Sequence, residues 1–440
     1  TMKQLLAVAV LGFWVNAVPA QNIATTLSLE DAVATAIASD PWLRGSEFRQ
    51  QALTEEAVAA ASLPDPRLSL MAGNFPVDTF DINQEPMTQL SVGISQMFPR
   101  GDSLELGRRQ KEQLSEQEPL LRQDRRARVA SSVTQLWLEA YRAQESIRLI
   151  ESDRALFDYL VDAARSNYAS ALGGARQQDL IRAQLELTRL DDRLSELHLH
   201  YESAQQQLAE WVGQSATLRL RGTALDDLLP IDLETLSAAL RSDQQAYSLL
   251  EPHPALQAID KRIDAMDTGV ELEQQKYKPD WGLSAQYGYR DDDLMGRERA
   301  DLFSVGITVD LPLFTGNRQD KAYAAAVART EALKTDKLLL ARQLLAQLQS
   351  AVARLRRLDQ RETLYTAQLL PQMAEQAEAA LSAYNNNDGD FAEAVRARIA
   401  ELDAKIDALA LAVERQQTTA RINYLLAGTG AGQDFAGEEQ

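Results

Sequence analysis

The chain has 440 residues, of which 45% are hydrophobic and 25% are charged, so its composition is that of a folded protein and not of a disordered one. Its formal net charge of −19 argues against a nucleic-acid-binding protein, because such proteins are normally basic. The sequence contains no cysteine, which excludes disulfides, thiolate metal sites and cysteine nucleophiles. Only 6% of the residues are aromatic, and Ala, Leu, Gln, Glu and Arg dominate long stretches, as in coiled coils.

The beginning of the sequence has the pattern of a secretory signal. Lys3 supplies a positive charge, residues 5–15 are almost entirely apolar, and small residues precede a cleavage position after Ala20. An apolar run of about 11 residues is too short to span a bilayer as a helix. We therefore expect residues 1–20 to be a signal peptide and Gln21 to begin an exported chain.

The rest of the sequence contains an internal repeat. Several pairs of matching positions share one spacing, 213 residues, which indicates two copies of one unit of about 200 residues. We expect a first repeat at 21–214, an inter-repeat equatorial segment at 215–243, a second repeat at 244–428 and a tail at 429–440. The matching pairs are Pro41 with Pro254, Pro66 with Pro279, Pro99 with Pro312, and Ser91-Val92-Gly93-Ile94 with Ser304-Val305-Gly306-Ile307.

Each repeat carries two segments with a period of two. Leu90, Val92 and Ile94 alternate with serine and glycine, which predicts a strand with one apolar face. Strands of about 9–11 residues suit a tilted membrane crossing, and aromatic residues near their ends suit an interfacial girdle. A half-buried antiparallel sheet in a soluble domain is the alternative. The predicted strands are at about 67–76, 88–98, 280–290 and 301–311.

Long helices are predicted after each pair of strands. Apolar residues such as Val129, Val133, Leu136 and Ala140 follow in alternating steps of four and three, which is typical of coiled coils. Each helix pair turns at a segment rich in glycine or asparagine. The predicted helices are at about 102–165, 177–212, 318–384 and 391–427.

Four strands cannot form a closed barrel, and lipid does not tolerate an open sheet edge. Several chains must therefore contribute strands to one barrel. Three copies would supply twelve strands and leave an aqueous lumen, although closure alone does not choose among two, three or four copies.

The duplicated unit, the helix opening at His253-Pro254-Ala255-Leu256 and the helix start at Asp179-Leu180-Ile181-Arg182-Ala183 resemble the TolC-like outer-membrane efflux ducts. The resemblance covers about residues 27–428. It implies an α+β, mostly α, fold in which a homotrimer joins a 12-stranded transmembrane β-barrel, with four strands per chain, to an α-barrel of long antiparallel helices. It also implies a Gram-negative outer-membrane location with a large periplasmic extension. The expected partners are outer-membrane lipid, a periplasmic adaptor (membrane fusion) protein and an inner-membrane pump of the RND type.

The cargo is open. Segments 63–68, 74–78 and 96–100 resemble the heavy-metal (CusC/CzcC-type) branch, which implies export of heavy-metal cations. Some members of that branch carry a lipidated cysteine, and this sequence has none. Multidrug efflux and type I protein secretion by a duct of the same family are alternatives, and a soluble periplasmic coiled-coil scaffold is another.

The sequence predicts no catalytic, cofactor-binding or resident metal site, and therefore a passive duct that is not an enzyme. In TolC-like ducts, acidic residues near the inner helix turn narrow the periplasmic entrance, and a ring of such acids attracts cations. These ducts often have a second acid three residues further on, where this sequence has Arg182 and Arg396. Arg396 is expected to pair with an acid on a neighbouring helix and so to latch the closed state. The gate candidates implied by the resemblance are Glu393, Asp390, Asp388, Asp179, Arg396 and Arg182. The candidate contacts for the adaptor are Leu172, Gly173, Gly174 and Gly389.

Overall fold

The computed structural model describes residues 26–169, 177–217, 219–221, 231–386 and 389–429, and these residues are mostly helical. The predicted signal peptide and nearly all of the predicted tail lie outside them. The first half contains β1 (Thr26–Leu27), α1 (Leu29–Ser39), α2 (Pro41–Ala60), β2 (Arg67–Gly73), β3 (Gln89–Phe98), α3 (Ser103–Ala169) and α4 (Gln177–Val212).

The second half begins with short elements and ends with long helices. A π-helical turn separates two α-helices in its last third. The elements are β4 (Arg219–Leu220), α5 (Leu233–Ala239), α6 (Asp243–Leu250), α7 (Pro254–Gln275), β5 (Asp280–Tyr289), β6 (Leu302–Asp310), α8 (Gln319–Leu364), the π-turn (Tyr365–Leu369), α9 (Leu370–Asn385) and α10 (Phe391–Leu425).

The helix starts follow from local capping. Asp40 precedes Pro41 and accepts the backbone N–H of Trp42 at 3.0 Å, so it caps α2. His253 caps α7 in the same way, because it precedes Pro254 and its side chain accepts the backbone N–H of Ala255. A proline at the first helical position loses no hydrogen bond there, because that N–H has no partner within the helix. Each proline-led helix packs on α3.

Four strands form one antiparallel sheet in the order β2-β3-β5-β6. Residues in register share a face, so Leu70, Val92, Tyr287 and Phe303 form an apolar row across the sheet. The neighbouring row, on the opposite face, is Ser69, Gly93, Gln286 and Ser304. The sheet therefore has one apolar and one small or polar face. Its outer strands, β2 and β6, each pair on one side only among the described residues.

The helices form a layer with two long members. α3 has 67 residues, which corresponds to about 100 Å at the α-helical rise. It packs against α2 and α7 towards the sheet, and against α4 and α10 away from it. α8 packs against α7 and, further along its length, against α10. Within the part of the chain that the structure describes, no helix is both long and apolar enough to cross a membrane.

Candidate functional site

The candidate site lies where α9 turns into α10, at the end of the helical layer away from the sheet. Asp390 has an extended backbone and accepts the N–H of Ala392 at 3.3 Å, so it is the N-cap of α10. Glu393 follows in the first turn and is exposed. Carboxylates are favoured at both positions, because the N-terminus of a helix carries partial positive charge.

The exposed side chains at the start of α10 form one stripe. Asp390, Glu393 and Arg396 are spaced three residues apart, so they share a helix face, and all three are exposed. The intervening Phe391 and Val395 are 2% and 4% exposed. The alternation of buried apolar and exposed charged positions fixes which side of α10 carries the charge.

Arg396 forms a hydrogen bond within its own helix. Its Nε donates to the carbonyl oxygen of Ala392 in the same helix, at 3.1 Å. Among the described residues it has no ion pair, although acids outside them, including Asp388, are not part of that statement. Pairing with an acid on another helix remains a prediction.

The two helix tips meet in one apolar cluster. Ala183 near the start of α4 is 3% exposed and belongs to the cluster that contains Phe391 and Val395. Tyr384, near the end of α9, contacts Phe391 edge-on with ring centroids 5.2 Å apart. The structure thereby brings the predicted gate residues of both repeats to the same end of the molecule. The exposed Arg182 precedes Ala183 on α4.

Gly389 has a structural reason to be glycine. A Cβ at this position would lie 2.8 Å from the backbone nitrogen of Tyr384 and 2.9 Å from the Cβ of Ala383. Real Cβ atoms do not approach other atoms this closely, so a side chain would push α9 away from the turn. This close packing accounts for the residue without any contact to a partner.

Several predicted residues fall outside the described part. Asp179 lies on α4, but its side chain is not among those described. The remaining predicted residues outside the described ranges are Leu172, Gly173, Gly174 and Asp388.

A buried charge that the sequence did not reveal lies further along α10. Glu401 is 5% exposed, and Lys405 and Arg398 bond to its carboxylate. Burial alone would raise the pKa of Glu401, but the hydrogen bonds and positive charges of Lys405 and Arg398 together lower it. The spacing of three and four residues between these charges predicts the two ion pairs but not their burial.

The comparisons with known proteins agree with this architecture. Residues 246–428 match the family model described as outer membrane efflux protein. Comparison with curated proteins gives no match. Among solved structures, the outer-membrane channel OprN is similar with a TM-score of 0.73 at 18% identity, covering 91% of this chain and 90% of that one.

Two further channels have the same fold. VceC from Vibrio cholerae gives a TM-score of 0.72 at 16% identity, with 91% of this chain and 96% of that one covered. CusC gives 0.73 at 13% identity, with 91% and 92% covered. Residues 246–428 thus match the family model of outer membrane efflux proteins, and the chain shares the fold of solved outer-membrane channels over about nine-tenths of its length.

Proposed function

We propose that the protein is the outer-membrane duct of a tripartite efflux system and passively conducts heavy-metal cations out of the cell. The observation that carries the duct is the four-stranded sheet with one apolar face, whose edge strands β2 and β6 have no outer partner among the described residues. Such a sheet is stable in lipid only when its edges are paired. In this proposal, residues 21–214 and 244–428 are the two copies of the repeat.

The closed assembly is a homotrimer. Joining β6 of one copy to β2 of the next is a heterologous contact, which generates a ring when the rotation closes. Three copies give a twelve-stranded barrel, continued by the helical layers as a tunnel. Exposed apolar side chains on α4 and α8, among them Ile181 at 56% and Leu339 at 56%, suit burial between neighbouring helical layers.

Native mass spectrometry of the detergent-extracted protein tests the assembly, and a planar bilayer tests conduction. A trimer that conducts ions supports the duct. A monomer that is extracted without detergent would instead support the soluble scaffold and overturn the proposal.

The tip acids are proposed to select for cations. Glu393→Gln should lower the cation-to-anion permeability ratio at least about twofold, because one residue becomes a ring in a symmetric oligomer. Glu234→Gln is the matched control, since Glu234 is also an exposed acid in the first turn of a helix, α5. Equal ratios in the two variants would contradict a gate role. For Arg396→Ala, unchanged conductance would contradict the latch.

The cargo and partners need a separate test. CusC is among the similar solved structures, but OprN and VceC match as well, so the metal cargo rests on the sequence segments. Deleting the gene should cause hypersensitivity to one or a few of copper, silver, zinc, cobalt, cadmium and nickel. Sensitivity to dyes and antibiotics with normal metal tolerance would instead indicate a multidrug duct. An adaptor and an RND-type pump should co-purify after cross-linking.

A further inference from the structure

A polar cavity lies between α3, α8 and α10, near the end of α10. Its volume of about 520 Å³ falls within the range of about 300–1,000 Å³ that small-molecule sites have. Ala346 and Ala351 line part of it, and every other described residue of its wall is polar or charged. The cavity is therefore large and polar enough to hold a small organic molecule.

The cavity opens on the side of the helical layer away from α1 and α5. On α8, Arg356 bonds to Ser237 of α5. Arg354 lies two residues earlier, about 200° round the helix, and lines the cavity. On α3, Trp137 packs in the cluster that contains buried residues of α1, and Gln135, again two residues earlier, lines the cavity. With α1 and α5 outside the proposed tunnel, the cavity faces the lumen.

One positive charge in the cavity is unbalanced. Arg354 bonds to the carboxylate of Glu414 at 2.7 Å, so these two charges compensate each other. Arg421 also lines the cavity and is exposed. It forms no ion pair or hydrogen bond with any described residue. Two guanidinium groups and one carboxylate therefore leave the cavity with an excess of positive charge, although the whole chain carries a net charge of −19.

Two glutamine amides face the same space without partners. Gln343 and Gln347 lie one turn apart on α8, and neither side chain bonds to a described residue. A glutamine amide both donates and accepts hydrogen bonds. The one carboxylate among the described residues of the wall is already paired, and those residues include no imidazole or thioether, so the wall suits a metal ion poorly. Its groups suit an organic solute instead.

We propose that this cavity binds a small organic carboxylate that also carries hydroxyl or amide groups. A guanidinium matches a carboxylate through two parallel hydrogen bonds, so Arg421 holds the anionic end of the solute. Gln343 and Gln347 bond to its other polar groups. The inference rests on the proposed function only in placing the cavity on the wall of the tunnel, where such a solute is a second class of cargo beside metal cations.

Fluorescence anisotropy of the assembled protein in detergent tests the site with two dyes of similar size. Fluorescein carries a carboxylate, whereas rhodamine 123 is a cation. Fluorescein should bind the wild type at least about tenfold more tightly than rhodamine 123 does, because hydrogen bonds to a charged group are strong. Dye in detergent without protein corrects for uptake into micelles. Equal affinities for the two dyes, or no binding of fluorescein, would overturn the proposal.

A variant locates the binding in the cavity. Arg421→Gln should weaken fluorescein binding at least about tenfold, and its assembly should be unchanged because Arg421 has no partner among the described residues. Arg357→Gln is the matched control, since Arg357 is an exposed arginine one turn beyond Arg354 on α8 and does not line the cavity. Equal losses in the two variants would contradict the assignment of the site.

The binding assay and the bilayer assay separate this site from the duct. A protein that binds fluorescein through Arg421 but neither forms a trimer nor conducts would keep the site and refute the proposed function. A conducting trimer whose affinity for fluorescein is unchanged by Arg421→Gln would keep the duct and refute the site.

Discussion

Gly428 packs the end of α10 against the turn before α7, and replacing it should strongly destabilise the fold. Its φ is +87°, and a Cβ there would overlap the carbonyl oxygen of Pro252 and lie 3.0 Å from the carbonyl carbon. Gly213 provides a matched control, because its φ is +59° and no described residue lies within 4 Å of its Cβ position. The two glycines share the left-handed backbone and differ in their surroundings.

The expected magnitudes follow from two separate costs. An alanine in the left-handed region costs about 1–2 kcal/mol. Forcing a methyl group into backbone atoms adds about 1–3 kcal/mol, since the neighbours must move. Gly213→Ala should therefore cost about 1–2 kcal/mol and Gly428→Ala about 2–5 kcal/mol.

Thermal loss of the helical circular dichroism signal in detergent is the assay. Large proteins often unfold irreversibly, so the midpoints are compared at one scan rate. The expected order is wild type, then Gly213→Ala, then Gly428→Ala with the lowest midpoint. Equal midpoints for the two variants would show that the close contact with Pro252 adds no destabilisation, and would refute that part of the reasoning. A wild-type midpoint for Gly213→Ala would refute the backbone strain.

Three further predictions use the same preparation. Burial lowers the pKa of His253, so stability should fall as pH drops below its ordinary value of 6.5; His253→Asn keeps a capping side chain and should flatten that decline. Leu348→Ala should lower the free energy of unfolding by about 2–5 kcal/mol, because its side chain is fully buried. Leu338→Ala is the control and should lower it much less, because that side chain is 49% exposed. A hydrogen bond to Asp320 raises the pKa of Tyr277 to about 12; Asp320→Asn should lower that pKa in a spectrophotometric titration.

The strands could be predicted from the sequence because every second residue is apolar and lies on one face of the sheet. The alternation at Leu90, Val92 and Ile94 falls on β3, where those residues lie on the same face as Tyr287 of β5. The pairing of β3 with β5 could not be read, because it joins residues about two hundred positions apart. Only the repeat suggested that the two strand pairs belong together.

Other features depend on packing that no local pattern encodes. A proline at position 371 signals an interruption, but not whether the chain breaks, kinks or widens into a π-turn. The sequence likewise offered Gly389 as a contact for a partner, whereas its closeness to Ala383 is visible only in three dimensions. The burial of Glu401 was hidden because charged residues at helical spacing usually indicate a solvated face.

The charge at the tip stands on a helix that its neighbours hold in place. Glu393 and Asp390 lie on α10, which the apolar cluster and ion pairs fix to α3 and α4. Glu393 itself is exposed. Glu393→Gln should therefore change ion selectivity and leave the thermal midpoint nearly unchanged. A variant that altered both would mean that this acid also supports the packing of the tip.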